Sequence, residues 1–171
     1  GIETVFTNNL FKPQIGTHAK HVLNIEEKGT CAAIEENIRH GHEDELAAIL
    51  YTSGTNANPK GVMLSHKNFM SNLDGCIRAF RFAEKDVLLG VLPLFHTYAL
   101  TTCLILPVNV GATMVYLARF SGPKVLELIE KHKITALFAI PSMYRVLLRT
   151  AESVRHDLST LRLCTSGGEP L

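Results

Sequence analysis

The chain has 171 residues, of which 46% are hydrophobic and 19% charged, and its formal net charge is +1. This length allows the core of one domain, and the composition excludes a disordered protein. The balanced charge excludes a protein that binds nucleic acid chiefly by neutralising phosphates, because that mode needs a basic surface. The four cysteines include no Cys-x-x-Cys pair, so they favour reduced thiols in a cytoplasmic protein over a zinc site or a disulfide framework.

Residues 1 to 45 show a weak pattern, in which 21–25 is a possible strand, 31–39 a possible short helix and 40–45 a charged turn. From Leu46 onward, short apolar runs alternate with segments of helical length, which is the βαβ pattern of an α/β fold. Six strands are predicted at 46–50, 61–64, 87–92, 112–117, 134–140 and 161–164. Most of these runs are continuously apolar, as expected for parallel strands covered on both faces. We therefore predict one domain, or part of one, with a mostly parallel sheet layered with helices.

Three helices are predicted between these strands. After His66, apolar residues recur at near-helical spacing at Phe69, Leu73, Ile77 and Phe80. Prolines in the first turn predict two more helices, one from Ser121 to about Lys133 and one from Pro141 to about Thr150. The longest apolar stretch, 98–110, is interrupted by polar residues and falls short of the roughly 20 residues that a membrane span requires. It is therefore predicted to be a core segment, and the sequence predicts no transmembrane helix.

The most informative stretch is the polar loop 51–62, which reads Tyr-Thr-Ser-Gly-Thr-Asn-Ala-Asn-Pro-Lys-Gly-Val between two predicted strands. Glycine lets backbone N–H groups turn toward an anion, while the hydroxyl groups and Lys60 add donors and a positive charge. The loop therefore predicts a polyphosphate site. It is not a Walker A loop, because that pattern ends in Gly-Lys-Ser/Thr and opens a helix, whereas here Lys60 precedes Gly61 and a strand follows.

This loop closely resembles the signature of the adenylate-forming, or AMP-binding, superfamily, which contains acyl-CoA synthetases, peptide-synthetase adenylation domains and luciferases. The family pattern is Tyr-Thr-Ser-Gly-Thr-Thr-Gly-x-Pro-Lys-Gly-Val, and the chain departs from it with Asn56 for threonine and Ala57 for glycine. The departures remove a hydroxyl and restrict the backbone. The resemblance implies that Lys60 is catalytic and that the phosphates of ATP bind to Thr52, Ser53, Gly54, Thr55, Asn56 and Lys60.

A second segment, 92–98, reads Leu-Pro-Leu-Phe-His-Thr-Tyr and resembles the family's Pro-Leu-Phe-His segment. In the family, this histidine opens a helix beside the pocket for the carboxylate substrate. The resemblance implies that His96 is catalytic, since it places the acyl carboxylate. It also implies that Phe95, His96 and Tyr98 line the acyl pocket.

A third segment, 165–171, reads Thr-Ser-Gly-Gly-Glu-Pro-Leu and resembles the family's Ser-Gly-Gly-Ala/Glu-Pro-Leu segment, whose backbone lies along the adenine ring. Glycine permits such a close approach of the backbone to a flat ligand. The resemblance implies adenine contacts by Gly167, Gly168, Glu169 and Pro170.

The three motifs together imply an acid–thiol ligase that works in two steps. A carboxylate attacks the α-phosphate of Mg-ATP and releases pyrophosphate, and coenzyme A then displaces AMP from the acyl-adenylate. The expected partners are ATP, Mg²⁺, coenzyme A as co-substrate and a carboxylic acid. The segment around His96 and the apolar stretch after it look most like those of long-chain fatty-acid CoA ligases. The resemblance therefore implies that the carboxylic acid is a fatty acid. No residue of the chain is assigned to the metal.

The resemblance is clear from about Glu43 onward, and we expect residues 1–171 to be a fragment of the large N-terminal AMP-binding domain, without the C-terminal domain. Both ends look cut, because the chain opens without methionine and stops just after a Ser-Gly-Gly turn. The family places a ribose-binding aspartate and a catalytic lysine further along than Leu171. We therefore expect the fragment to be inactive by itself.

Alternative functions stay open at this point. A fatty acyl-AMP or acyl-carrier-protein ligase, or an adenylation domain for amino or aryl acids, would share the phosphate loop and differ in the acceptor and the pocket floor. A non-catalytic nucleotide-binding module is a further alternative, which the departures at Asn56 and Ala57 favour. The sequence specifies neither the oligomeric state nor whether the longer protein makes peripheral membrane contact.

Overall fold

The computed structural model describes residues 4–7, 21–24, 41–52 and 59–170. The chain divides into two compact units, 1–40 and 41–171. In the first unit, β1 (Thr4–Thr7) and β2 (His21–Asn24) pair in parallel. The predicted strand at 21–25 is confirmed by β2, whereas the predicted helix at 31–39 lies outside the described residues.

The second unit contains two sheets and the helices around them. Its strands are β3 (Leu46–Thr52), β4 (Lys60–Ser65), β5 (Val87–Gly90), β6 (Thr113–Tyr116), β7 (Ala136–Ala139) and β8 (Leu163–Ser166). Its helices are α1 (His66–Phe80), α2 (Thr97–Leu100), α3 (Leu106–Val110), α4 (Gly122–His132) and α5 (Pro141–Ser153). A π-helical turn (Thr101–Ile105) joins α2 to α3. No helix in the described ranges has both the length and the apolar character that crossing a bilayer requires.

The larger sheet is parallel throughout and has the strand order β6-β5-β7-β8. Its two faces bury separate apolar clusters, because neighbouring residues of a strand point to opposite faces. One cluster contains Leu89 and Leu137 with residues of α4 and α5, including Val125, Ile129 and Leu147. The other contains Leu88 and Phe138 with residues of α1, the π-helical turn and α3, including Leu73, Cys103 and Leu106. The predicted α/β fold, with a parallel sheet covered on both faces, is confirmed.

The first two predicted strands of this unit do not join that sheet. β3 and β4 pair antiparallel, with Thr52 opposite Lys60, and most of their residues are exposed. The expectation that they belong to the parallel βαβ pattern is wrong. Only seven residues, 53–59, connect the two strands, whereas a parallel pair needs a crossover of a dozen or more residues.

The predicted helices are confirmed, and their ends follow local rules. Ser65 caps α1, accepting from the Asn68 N–H at 3.3 Å while its own N–H donates to the Asn68 side chain at 2.9 Å. Proline stands in the first turn of both α4 and α5, as predicted. Helix α4 ends where Lys133 adopts a left-handed conformation with φ 53°.

A buried ion pair joins the beginnings of β5 and β8. Asp86 is 1% exposed, and its two carboxylate oxygens each accept a hydrogen bond from the Arg162 guanidinium at 2.8 Å. The Thr135 hydroxyl and the Ala83 N–H donate to the same carboxylate, at 2.8 and 3.0 Å. The Arg162 bonds are the main reason that the pKa of Asp86 falls to about 2. This network therefore ties three segments together at the amino-terminal edge of the sheet.

Candidate active site

Two of the three motifs meet at the carboxyl-terminal edge of the parallel sheet. The 92–98 segment follows β5, and the 165–171 segment contains the end of β8 and the turn after it. Strand β7 lies between β5 and β8. In open α/β sheets, ligands bind in the crevice outside this edge, because the loops and helix N-termini that follow the strands gather there.

His96 is the N-cap of α2, and its side chain is exposed. Its Nδ1 accepts a hydrogen bond from the Tyr98 N–H at 3.2 Å. A ring nitrogen that accepts carries no proton, so the proton of the neutral imidazole lies on Nε2. In that tautomer, the exposed ring has one N–H donor, at Nε2, that the cap does not use. Phe95, beside it, is 82% exposed.

The two roles of His96, cap and donor, can be separated by substitution. His96→Ala is expected to lower the free energy of unfolding by roughly 1 kcal/mol, because it removes an N-cap acceptor. His96→Asn should keep the stability, since the asparagine oxygen is a good N-cap acceptor, but it should lose the Nε2–H donor. Urea unfolding of both variants measures this difference. Equal destabilisation by alanine and asparagine would contradict the capping role.

Tyr98 connects the histidine segment to β8. Its hydroxyl lies 2.8 Å from the Thr165 Oγ1, and its ring packs edge-on against Phe138 of β7, with 6.2 Å between ring centroids. The tyrosine is half-buried, and this burial raises the pKa of its hydroxyl. A raised pKa keeps the hydroxyl protonated and neutral at physiological pH.

The turn after β8 contains two glycines, one of which has a positive φ. Gly168 adopts φ 86°, a left-handed conformation that residues with a Cβ rarely adopt. A Cβ at Gly167 would lie 3.7 Å from the Tyr98 ring, so the turn packs directly beside that ring. The Glu169 carboxylate accepts from the Ser142 N–H in the first turn of α5 at 3.3 Å. The turn is thereby held against both α2 and α5.

A cavity of about 460 Å³ opens between α1, β4 and the beginning of the helical segment that contains Tyr98. Its lining residues are Leu64, Asn68, Phe69, Asn72, Cys76, Thr97, Tyr98, Thr101 and Thr102. Of the three residues predicted to form the acyl pocket, Tyr98 lines this cavity, whereas Phe95 and His96 lie outside its lining. The π-helical turn begins at the two lining threonines, and such turns occur frequently at functional sites.

The phosphate loop connects β3 to β4. Thr52 and Lys60 form the pair of this hairpin next to the loop, and both are exposed. The remaining predicted phosphate ligands, Ser53, Gly54, Thr55 and Asn56, lie outside the described residues. Among the residues that the structure describes, no hydrogen bond joins Thr52 or Lys60 to the other two motifs, and no cluster of three metal-ligating side chains occurs.

Sequence reasoning placed Thr165 in the third motif without giving it a role, and it did not single out Tyr144 for the site. Tyr144 on α5 directs its hydroxyl to the main-chain oxygens of Leu137 and Thr165, at 2.9 Å each. Burial raises its pKa strongly, so this hydroxyl stays a donor. Two signals were available in the sequence: a threonine two residues before Gly167, and a tyrosine near the start of each of the helices α2 and α5.

Known proteins of one family match this chain in sequence and in fold. Residues 9–171 match the family described as AMP-binding enzyme. The 4-coumarate–CoA ligase CCL1 of Humulus lupulus is 40% identical over 134 residues, which cover 76% of this chain and 24% of that protein. A long-chain-fatty-acid–CoA ligase of Bacillus subtilis (strain 168) is 36% identical over 132 residues, which cover 75% of this chain and 23% of that protein.

Among solved structures, ATP-bound MatB from Rhodopseudomonas palustris matches 98% of this chain and 35% of its own, with a TM-score of 0.84 and 29% identity. The chain thus spans about a quarter of the length of the curated relatives. The family match begins at residue 9, whereas the motifs alone made the resemblance clear only from about residue 43 onward. The chain belongs to the AMP-binding enzyme family.

Proposed function

We propose that the protein containing this chain uses ATP to convert a carboxylic acid to an acyl-adenylate and then transfers the acyl group to coenzyme A. The observation that carries the proposal is the meeting of the His96 segment and the Gly167–Gly168 turn at one edge of the sheet. An acid-positioning donor and a backbone suited to a flat base would then lie side by side. That is the arrangement needed to join a carboxylate to an adenine nucleotide.

The chemical difficulty of the first step is to bring two anions together and to stabilise the departing pyrophosphate. A positioned donor reduces the first problem, because it holds the carboxylate in line with the α-phosphate. In the proposal, the Nε2–H of His96 has this role. Lys60 and the hydroxyls of the loop, including Thr52, stabilise the charge on the β- and γ-phosphates. Mg²⁺ would be held largely by phosphate oxygens, and we assign no side chain of this chain to it.

We further propose that residues 1–171 form part of the large N-terminal domain of a longer ligase. The share of the relatives that the chain matches supports this. In that arrangement the chain supplies the phosphate loop, the acid-positioning histidine and the adenine turn. Residues elsewhere in the longer protein would complete the reaction, so the isolated chain is expected to be inactive.

For the acid, we propose a long-chain fatty acid as the first candidate. The apolar walls of the 460 Å³ cavity, which include Leu64 and Phe69, suit a hydrocarbon chain. A hydroxylated aryl acid such as 4-coumarate is the second candidate, because Asn68, Asn72 and Thr101 add polar groups to the same lining. The relatives include ligases for both kinds of acid.

The test is ATP–pyrophosphate exchange by the full-length protein with palmitate, 4-coumarate, benzoate and phenylalanine, each assayed with and without Mg²⁺. We expect exchange that depends on palmitate or 4-coumarate, and formation of the matching thioester when coenzyme A is added. Exchange without thioester formation would favour a carrier-protein ligase, and a response to phenylalanine alone would favour an amino-acid adenylation domain.

A non-catalytic module is tested by the same assay. If the wild type shows no exchange with any acid but Asn56→Thr with Ala57→Gly restores it, the departures in the loop have inactivated the protein. No exchange by either protein would refute the proposed ligase activity for this panel of acids.

A further inference from the structure

Tyr98 contacts every part of the candidate site that the sheet edge brings together. Its N–H donates to the His96 Nδ1 at 3.2 Å, and its hydroxyl shares a hydrogen bond with the Thr165 Oγ1 at 2.8 Å. Its ring lies against the position that a Cβ of Gly167 would occupy, and its side chain also lines the 460 Å³ cavity. One side chain thus touches the proposed acid site and the proposed adenine turn.

We propose that Tyr98 is a positioning residue that links the two substrate sites through its hydrogen bond to Thr165, so that ATP and the acid strengthen each other's binding. This inference rests on the proposed function, since it assigns ATP to the Gly167–Gly168 turn and the acid to the His96 side. Linkage of this kind is reciprocal, because each ligand must change the affinity for the other by the same factor.

The environment of the Tyr98–Thr165 bond favours such a role. The main chain of Thr165 is already held to the sheet, since it pairs with Phe138 and its oxygen accepts from Tyr144. Its hydroxyl, in contrast, bonds across to the helix that begins at His96. The bond is partly shielded from water, which makes it stronger than a fully exposed one. If acid binding moves α2, the Tyr98–Thr165 bond would therefore displace β8, which leads into the Gly167–Gly168 turn.

Packing of the Tyr98 ring against Gly167 would carry a displacement of α2 to the glycine turn as well. The Tyr98 ring fills the space beside Gly167, and the Gly167 N–H is bound to the Ala139 oxygen at 3.3 Å. The turn therefore has a rigid strand on one side and the tyrosine ring on the other. Tyr98→Phe removes only the hydroxyl. The ring still fills its space, but it can tilt, so the Gly167–Gly168 turn should become more mobile without a cavity forming.

The linkage can be tested in the full-length protein with Tyr98→Phe, Thr165→Val and the double variant. The matched control is Tyr116→Phe, which removes the tyrosine hydroxyl that donates to the Cys103 main-chain oxygen, on the outer strand opposite β8. Pyrophosphate exchange gives KM for ATP and for palmitate or 4-coumarate, whichever the wild type uses. Each single variant is expected to raise both KM values roughly fivefold, the effect of losing one hydrogen bond.

The double variant decides whether the two hydroxyls act as one unit. We expect it to resemble Tyr98→Phe, because that substitution removes both the bond to the Thr165 hydroxyl and the longer contact, 3.5 Å, with the Thr165 main-chain oxygen. The control should leave both KM values unchanged. The inference is overturned if the double variant shows the product of the single effects, roughly 25-fold, or if only the KM for the acid rises.

Hydrogen exchange of the peptide 163–171 provides a readout that does not depend on catalysis. Tyr98→Phe should accelerate exchange of the Gly167 amide roughly fivefold, corresponding to one lost hydrogen bond, while Tyr116→Phe should not. Unchanged exchange in Tyr98→Phe overturns the inference, whatever acid the protein uses. Faster exchange, in a protein that shows no pyrophosphate exchange with any acid, supports the Tyr98–Thr165 link and overturns the proposed function instead.

Discussion

Replacing Asp86 with alanine is expected to lower the free energy of unfolding by about 3 kcal/mol, the lower end of the cost of breaking a buried ion pair. Arg162 would lose both of its carboxylate bonds, and the Thr135 hydroxyl and the Ala83 N–H would lose an acceptor. Because 37% of the Arg162 side chain remains exposed, water can hydrate part of the orphaned charge. Urea unfolding of the wild type and of Asp86→Ala, at pH 7, measures the difference.

Asp157→Ala is the matched control for this prediction. The pKa of Asp157 also falls to about 2, chiefly because Ser159 donates to its carboxylate, but its side chain is exposed. If burial determines the cost, the control should lose far less stability than Asp86→Ala, since solvent screens an exposed charge. Equal decreases in the free energy of unfolding would show that the buried network of Asp86 stabilises the fold no more than the exposed bonds of Asp157 do.

The same network predicts how stability depends on pH. A folded-state pKa of about 2 lies below the ordinary value of 3.8, so the ionised Asp86 favours the folded state. This contribution is fully present above about pH 4, the ordinary range of an aspartate, and it is lost as the pH falls toward 2. Asp86→Asn should therefore show a smaller decline in the free energy of unfolding across this window than the wild type does. An identical decline would contradict the assignment.

Local patterns in the sequence were sufficient to predict most of the helices and strands. Apolar spacing after His66 predicted α1, and prolines in the first turn predicted the starts of α4 and α5. The direction of β3 and β4 could not be predicted in the same way. An apolar run has the same appearance in a parallel and in an antiparallel strand, and the length of the connection is the better guide.

Strand ends were also misplaced, for physical reasons that the sequence shows only in retrospect. β8 is Leu163–Ser166 rather than 161–164, because these four residues are the ones that pair with Ala136–Ala139 of β7. The polar residues Thr165 and Ser166 remain in the strand, since main-chain pairing does not depend on apolar side chains. β7 ends at Ala139, just before the Ile140 cap and Pro141 begin α5.

The contacts that assemble the candidate site were beyond sequence reasoning. The motifs marked His96 and the glycine turn separately, but the bond between Tyr98 and Thr165 joins residues 67 positions apart. The bond between Asp86 and Arg162 spans 76 positions. Pairing over such distances depends on the strand order, which places β7 between β5 and β8, and no local pattern specifies that order.

Replacing Lys60 with methionine is expected to reduce the rate of acid-dependent pyrophosphate exchange by roughly 100- to 1,000-fold, the usual cost of removing one group that stabilises developing charge. The prediction rests on the proposed function, in which Lys60 faces the departing pyrophosphate. Lys60 is exposed and pairs with Thr52 through the main chain, so methionine should leave the hairpin and the stability unchanged. The measurement is steady-state exchange by the full-length variant at saturating acid.

Two further variants show whether the charge of Lys60 itself is responsible. Lys60→Arg keeps the charge but changes its shape and reach, so a partial loss between those of the wild type and Lys60→Met is expected. Lys85→Met removes an exposed lysine that precedes β5, at the opposite edge of the sheet, and should leave exchange unchanged. If Lys85→Met is as damaging as Lys60→Met, the loss reflects overall charge and not a phosphate contact. If Lys60→Met retains full exchange, the loop binds phosphate without this lysine, and its backbone amides and hydroxyls must supply the stabilisation.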